Sequence, residues 1–299
     1  MLVGDAVGVP YEFHRAANIP PRELIEMVPP AGFARAHRGV PTGTWSDDGA
    51  QALALLDSLL TRGALELDHF SQRLLAWFED GAYTPDGRVF DIGIQTRRAF
   101  SNLREGASPE SSGPSGEREN GNGSLMRVLP LALFFRGASL ETLAREAERS
   151  SLPTHGHVRS RIVCALACVW ARHELQGHDD GFARAASELR ELYTRTGDAE
   201  RLEVIDAHVR PDDPEPGRGS GYVVDTIRSV RDCLRERTYE DVVRAAIALG
   251  DDTDTTACVA GGLAGMRFGV EAIPERWREG LKGKEQVSAL LSRLEPTLA

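Results

Sequence analysis

Apolar residues recur along this chain at spacings of three and four, and strict alternation is almost absent. Between Asp48 and Arg62, Leu53, Leu56, Leu59 and Leu60 fall at helical spacing. Phe70, Leu74, Leu75 and Phe78 form the apolar side of a following helix, and Ile94–Leu103 predicts another. Leu125–Phe135 is strongly apolar, but Pro130 lacks an amide donor and must kink the helix or mark its restart. Further helices are predicted over Leu140–Arg149, His157–Leu175, Phe182–Tyr193, Tyr222–Arg235, Tyr239–Leu249 and Thr255–Phe268, with a short one over Lys284–Leu294. Two stretches break the pattern. Glu105–Asn122, rich in Ser, Gly, Pro and Glu, reads as a mobile surface loop too short to link domains, and Pro211–Gly221 reads as loop. The pattern predicts an all-α protein whose residues 1–299 form a single domain.

Composition agrees. Apolar residues make up 41% of the chain and aromatics only 6%, so Leu, Ala and Val must supply the packing, which suits helices. The net charge of −10 argues against a nucleic-acid surface, which needs a basic face. It leaves room for an anionic small molecule held locally by helix N-termini or metal ions. Cys164 and Cys168 lie one turn apart in an apolar segment and read as buried thiols. No paired Cys-x-x-Cys zinc spacing and no His-Glu-x-x-His occurs. Neither a basic-then-apolar leader nor a membrane-length apolar run is present, so a cytoplasmic, membrane-free protein is expected. No coiled-coil repeat is evident, and the expectation is a monomer.

The candidate chemistry lies in two acidic clusters, Ser46-Asp47-Asp48 and Asp252-Thr253-Asp254-Thr255, each just ahead of an apolar helix. Taken singly, each reads as a helix cap, where carboxylates accept orphan N–H bonds and meet the positive end of the dipole. Together they offer four carboxylates and two hydroxyls, Ser46 and Thr255. Packing so many like charges is unfavourable without a cation. Hard oxygen donors suit Mg2+ or Mn2+, and four carboxylates would balance two such ions. A calcium EF-hand starting at Asp252 fails on spacing, because Ala257 and Leu263 stand where Gly and Glu are required.

Several phrases, in order along nearly the whole chain, resemble the ADP-ribosylglycohydrolase family. They are Gly4-Asp5-Ala6-Val7-Gly8-Val9-Pro10-Tyr11-Glu12, Trp45-Ser46-Asp47-Asp48, Asp91-Ile92-Gly93, Gly121-Asn122-Gly123-Ser124-Leu125-Met126-Arg127, Thr154-His155-Gly156-His157, Gly219-Ser220-Gly221-Tyr222-Val223-Val224-Asp225-Thr226 and Gly250-Asp251-Asp252-Thr253-Asp254-Thr255. The resemblance implies a single compact orthogonal helical bundle holding two magnesium ions. It implies hydrolysis of the bond between ADP-ribose and a modified side chain, with ADP-ribose as product. The Tyr222 phrase is most similar to the bacterial branch that releases ADP-ribose from arginine in dinitrogen reductase, which favours arginine. Four departures stand out. Ser46 replaces a common Thr and keeps the hydroxyl. Gly49 replaces a frequent Thr and removes a donor. Asp251 replaces a frequent Gly and adds negative charge. The chain also begins inside the family's first helix.

Glycosidic hydrolysis needs an activated water and a protonated leaving group. Glu12 and Asp91 are the candidate acid/base carboxylates, with a solvated turn residue and a helix cap as their plain alternatives. Asn120, Gly121, Asn122 and Gly123 form a turn whose amides suit a phosphate. His155, Ser220, Gly221 and Tyr222 are assigned to the substrate, with the Tyr222 ring stacking on adenine, and His157 to structure. Two other functions compete: an ADP-ribose-binding module without catalysis, and a phosphohydrolase using the same paired ions. Within the glycohydrolase reading, serine-linked and O-acetyl ADP-ribose compete with arginine.

Overall fold

The computed structural model describes residues 1–298; Ala299, the last residue of the expected 1–299 unit, lies outside the described residues. Among the described residues fifteen α-helices run in this order, with short 3-10 and π turns between some of them: α1 (Leu2–Gly8), α2 (Asp47–Arg62), α3 (Leu67–Asp80), α4 (Ile94–Arg104), α5 (Pro109–Ser112), α6 (Leu129–Phe134), α7 (Leu140–Ser151), α8 (Val158–Leu175), α9 (Gly181–Thr196), α10 (Ala199–Glu203), α11 (Val223–Cys233), α12 (Tyr239–Ala248), α13 (Thr253–Phe268), α14 (Glu275–Gly280) and α15 (Lys284–Leu298). Among the described residues there is no strand, only two isolated bridges, Arg15 with Gly250 and Gly121 with Tyr222. The fold is the all-α bundle that the periodicity predicts.

Helices α8 and α13 run through the middle and are apolar almost all round. The sequence from Ile162 to Ala171 is buried without interruption, as is Thr253 to Ala264. Helices buried on every side do not show a single apolar stripe, which is why these two read from length and composition rather than from amphipathicity. Cys164, Cys168, Cys233 and Cys258 are all free and buried, and serve as small packing groups. No helix of the described residues is long and apolar enough to cross a membrane.

Pro130 marks a restart, one of the two outcomes expected for it: it stands in the first turn of α6, the helix starts at Leu129, and the apolar run from Leu125 begins as non-helical turn. Proline is favoured there because its missing N–H would have no intrahelical partner. Two other elements differ from the expected pattern. The Glu105–Asn122 segment is not a plain surface loop: it contains α5, and Pro109, Ser112, Gly113 and Pro114 are buried. The α13 helix begins at Thr253, which puts Asp254 inside its first turn rather than ahead of it.

The short α1 has no sequence periodicity to betray it, yet it organises the site. It packs against α13 through glycines one turn apart. A Cβ on Gly4 would lie 2.0 Å from the Ala257 carbonyl oxygen, and one on Gly8 would lie 2.5 Å from the Asp254 Cα. Only residues without a side chain let the two backbones approach so closely. This contact sets the N-terminus of α13 beside Asp5 and, through it, beside α2.

Candidate active site

The first turns of α2 and α13 bring the two acidic clusters together. Capping is done by other groups, so the carboxylates are left for another purpose. Ser46 is the N-cap of α2, its hydroxyl accepting from the Asp48 amide at 3.3 Å. Asp5, reaching over from α1, accepts from the amides of Ser46 at 2.9 Å and Gly49 at 2.8 Å. Asp252 precedes α13 without making a side-chain cap. Burial pushes the Asp5 carboxyl up to about 7, against the pull of the Ser46 and Gly49 amides. Gly49 is fixed by packing: a Cβ there would lie 2.7 Å from both Leu2 Cδ2 and Trp45 Cγ.

The clusters touch directly. The Thr255 hydroxyl donates to Asp48 Oδ2 at 3.3 Å, and the Ser46 hydroxyl donates to the same oxygen at 3.2 Å. Asn122 Nδ2 donates to Asp252 Oδ2 at 2.8 Å. Asp254 is fully buried, and neither of its oxygens accepts a hydrogen bond; Asp48 Oδ1 is equally unpartnered. Burial, followed by the neighbouring carboxylates, holds Asp47, Asp48 and Asp254 well above the usual carboxylate range. Buried acceptors without donors are costly. Oxygens of this kind are hard ligands that fit a divalent cation, and no donor among the described residues satisfies them. Carboxylate oxygens of Glu12, Asp252 and Asp254 lie within 4.8 Å of one another.

These groups face a cavity of about 660 Å³. Glu12, Asp47, Asp48, Asp91, Gly121, Asn122, Gly123, His155, Gly221, Asp252 and Thr255 all line it, while Ser46 and Asp254 sit behind its wall. The two expected ligand loops are stitched together by backbone bonds, from Asn122 N to Gly221 O and from Val223 N to Asn120 O, both at 3.1 Å. Three expected substrate-binding residues also do not reach the cavity lining. The Asn120 side chain donates to Glu117 O, the Ser220 hydroxyl donates to Asp225 at 2.7 Å, and the half-buried Tyr222 ring lies towards Arg159. His157 caps α8, its Nδ1 accepting from the Arg159 amide at 3.1 Å, in the structural place expected for it.

Glu12 has a partner that no spacing rule could reveal. His37 Nε2 lies 2.5 Å from Glu12 Oε2 and 3.9 Å from Asp91 Oδ1. Burial first, then Asp91, Asp252 and Asp48, push the Glu12 carboxyl up to about 11. Burial also raises Asp91 and lowers His37. Phe13, Gln95 and Asp251 also line the cavity. Gln95 Oε1 accepts from the Gly121 amide at 2.8 Å and so sets the height of that loop.

Fold and site together define an all-helical protein whose helix N-termini gather buried carboxylates at one cavity, a donor set that could hold metal ions. A model of the ADP-ribosylglycohydrolase family matches residues 1–298, and the chain belongs to that family. It is 31% identical to the ADP-ribosylarginine hydrolase Tri1 of Pseudomonas putida strain GB-1, over 98% of this chain and 75% of that protein. It is 29% identical to the ADP-ribosyl-[dinitrogen reductase] glycohydrolase of Rhodospirillum rubrum, over 98% and 93%. Human ADP-ribosylhydrolase ARH3 is 27% identical, over 98% and 90%. A solved structure titled ADP-ribosylglycohydrolase-related protein complex superposes with a TM-score of 0.76 at 30% identity, covering 100% of this chain and 95% of that one.

Proposed function

We propose that the protein hydrolyses the glycosidic bond linking ADP-ribose to a modified arginine side chain, with magnesium as cofactor, and so reverses mono-ADP-ribosylation. One observation carries the reading. Asp254, fully buried with no donor to either oxygen, stands among like charges beside a cavity large enough for a nucleotide-sugar. Ser46, Asp47, Asp48, Asp252, Asp254 and Thr255 would hold two Mg2+ ions, or Mn2+ in their place. Ions bound there supply positive charge that polarises and anchors ligand oxygens.

The chain's own residues do the rest. Gly121 and Gly123 line the cavity, and their missing Cβ atoms leave room for Gln95, which accepts from the Gly121 amide, and for the His155 ring, 2.7 Å from where a Cβ on Gly123 would stand. Water attacks the anomeric carbon, the carbon–nitrogen bond breaks, and a proton reaches the departing guanidino nitrogen. Glu12 is the group assigned to that proton transfer, since its carboxyl is raised and in contact with His37; Asp91 stands next to it as the alternative. Arginine is favoured over serine by the acidic cavity mouth, where Asp91 and Asp251 would face a cationic leaving group, and by the names of the relatives at 31% and 29% identity.

The test is a panel of arginine-, serine- and O-acetyl-linked ADP-ribose, assayed with and without magnesium. Release of intact ADP-ribose from arginine, lost on chelation, is the expected result. Replacing both Asp252 and Asp254 by Ala should abolish turnover and metal binding together. Binding without release would make this a binding module, and appearance of AMP or phosphate would make it a phosphohydrolase.

A further inference from the structure

Behind the cavity wall lies a buried arginine that the reaction described above does not use. Arg127 is 1% exposed and touches no carboxylate. Its Nη1 donates to Gln51 Oε1 at 2.6 Å, and its Nη2 donates to Thr154 Oγ1 at 2.7 Å and to the Ser150 carbonyl at 3.3 Å. The guanidinium also lies over the Phe70 ring, 5.3 Å from its centre. Burying a cation with no ion-paired partner is expensive, so the arrangement needs a reason.

The reason is readable in the direction of the hydrogen bonds. A guanidinium only donates. Gln51 must therefore turn its oxygen to Arg127 and its Nε2 to Asp47 Oδ2, 3.1 Å away. Thr154 Oγ1 must likewise accept from Arg127. Thr154 is fully buried, and among the described residues its hydroxyl has one other contact, His155 Nδ1 at 2.8 Å. The hydroxyl proton therefore goes to Nδ1, which must be an unprotonated acceptor. That leaves the ring's single proton on Nε2. The Nε2 edge faces the glycine loop of the cavity: a Cβ on Gly123 would lie 3.1 Å from Nε2, and one on Gly121 3.6 Å. Burial and the nearby guanidinium hold the imidazole down to about 3, so the ring stays neutral in the physiological range.

We propose that Arg127, acting through Thr154, is a positioning residue that locks His155 in the Nε2–H tautomer and aims that donor at an acceptor oxygen of the bound ligand. The same guanidinium, acting through Gln51, orients a donor onto Asp47. One buried cation thereby sets hydrogen-bond polarity on both walls of the cavity. Identification of the ligand oxygen as part of ADP-ribose rests on the functional reading above; the tautomer does not.

Long-range ¹H–¹⁵N correlation on the histidine ring reads the tautomer directly in the ligand-free protein. The wild type should show a protonated Nε2 and an unprotonated Nδ1 at His155. Thr154→Val keeps shape and removes the hydroxyl. It should give a mixture of tautomers and weaken ADP-ribose about five- to tenfold in a calorimetric titration. Thr154→Ser restores the hydroxyl and should restore both readings, which separates positioning from packing. Arg127→Lys has one ammonium in place of two fixed donors and should resemble Thr154→Val. A wild-type ring protonated on Nδ1, or a Thr154→Val protein with unchanged tautomer and unchanged affinity, overturns the inference. Should the wild type fail to bind ADP-ribose at all, the functional reading falls, and the ring spectrum alone decides the inference.

Discussion

His37 Nε2 and Glu12 Oε2 meet at 2.5 Å, although 25 residues separate them in sequence. The imidazole is held between the rings of Phe13, at 5.5 Å, and Phe90, at 5.1 Å. It closes a triangle with Asp91. Burial raises the carboxyl and lowers the imidazole, so the shared proton rests on Glu12, which donates it to His37 Nε2 and is held in place by that contact. His37→Ala is therefore expected to lower kcat about tenfold with KM nearly unchanged. Glu12→Gln should cost at least about a hundredfold. Steady-state kinetics on the three proteins checks this. An equal loss in KM for His37→Ala would mean that the ring binds substrate and does not serve Glu12.

The carboxylate cluster makes stability depend on pH and metal together. With no cation bound, Asp47, Asp48 and Asp254 keep protons in the folded state that the unfolded chain has already released. The folded protein binds more protons, so stability falls as pH rises from near 4 through the raised values. Under the reading proposed above, Mg2+ or Mn2+ would replace those protons and restore stability. Thermal melts of chelated protein should show Tm falling between about pH 5 and pH 8, with millimolar metal raising Tm more at the higher pH. At a hundred times Kd the gain is about 2.7 kcal/mol. A metal effect equal at both pH values would separate the cation from these carboxylates.

Close packing of α1 on α13 gives a stability test that leaves the charges alone. Gly4→Ala places a methyl 2.0 Å from the Ala257 carbonyl oxygen, and backbone cannot swing aside as a side chain can. The helices must separate, at a cost of about 1–3 kcal/mol. Denaturant unfolding should show this as a lower midpoint with unchanged slope. Metal affinity should fall with it, since the same contact sets Asp5 beside Ser46 and Gly49. Wild-type stability for Gly4→Ala would show that α1 is not clamped.

Helices such as α2 and α3 were legible because their apolar residues repeat at helical spacing, as from Leu53 to Leu60, and the all-buried α8 and α13 from length and composition. The acidic clusters were legible because Asp47 and Asp48 are adjacent in sequence and Asp252 and Asp254 are only two residues apart. What stayed hidden depends on distance through space. His37 lies in an irregular stretch with no periodicity and meets Glu12 only after folding. Asp5 and Arg127 sit inside recognisable phrases, but their work lies in contacts with Ser46, Gly49, Gln51 and Thr154 that no local pattern encodes. Asn120, Ser220 and Tyr222 show the converse. Their neighbours Gly121, Asn122 and Gly221 reach the cavity, while Asn120 and Ser220 spend their side chains on the turns that carry the loop and the Tyr222 ring lies towards Arg159.

Phe13 and Asp251 are locked to each other at the cavity mouth. Both adopt left-handed backbone, with φ of 62° and 55°. The Phe13 amide donates to the Asp251 carbonyl and the Asp251 amide donates to the His14 carbonyl, each at 2.7 Å. Such backbone is unfavourable for residues with side chains and persists where the surroundings hold it. The result is an aromatic ring, 69% exposed, beside an exposed carboxylate, both lining the cavity. A ring face and a carboxylate together suit a planar cation. For the arginine-linked substrate proposed above, the leaving guanidinium would meet them, whereas a serine hydroxyl carries no charge to recognise. Asp251→Gly relieves the backbone and removes the charge. It should lower kcat/KM about fivefold for arginine-linked ADP-ribose and leave the serine-linked value unchanged. Phe13→Ala should shift the same ratio in the same direction. Measured side by side, equal losses on both substrates would place the pair in general packing of the mouth, and no loss on either would remove it from substrate choice.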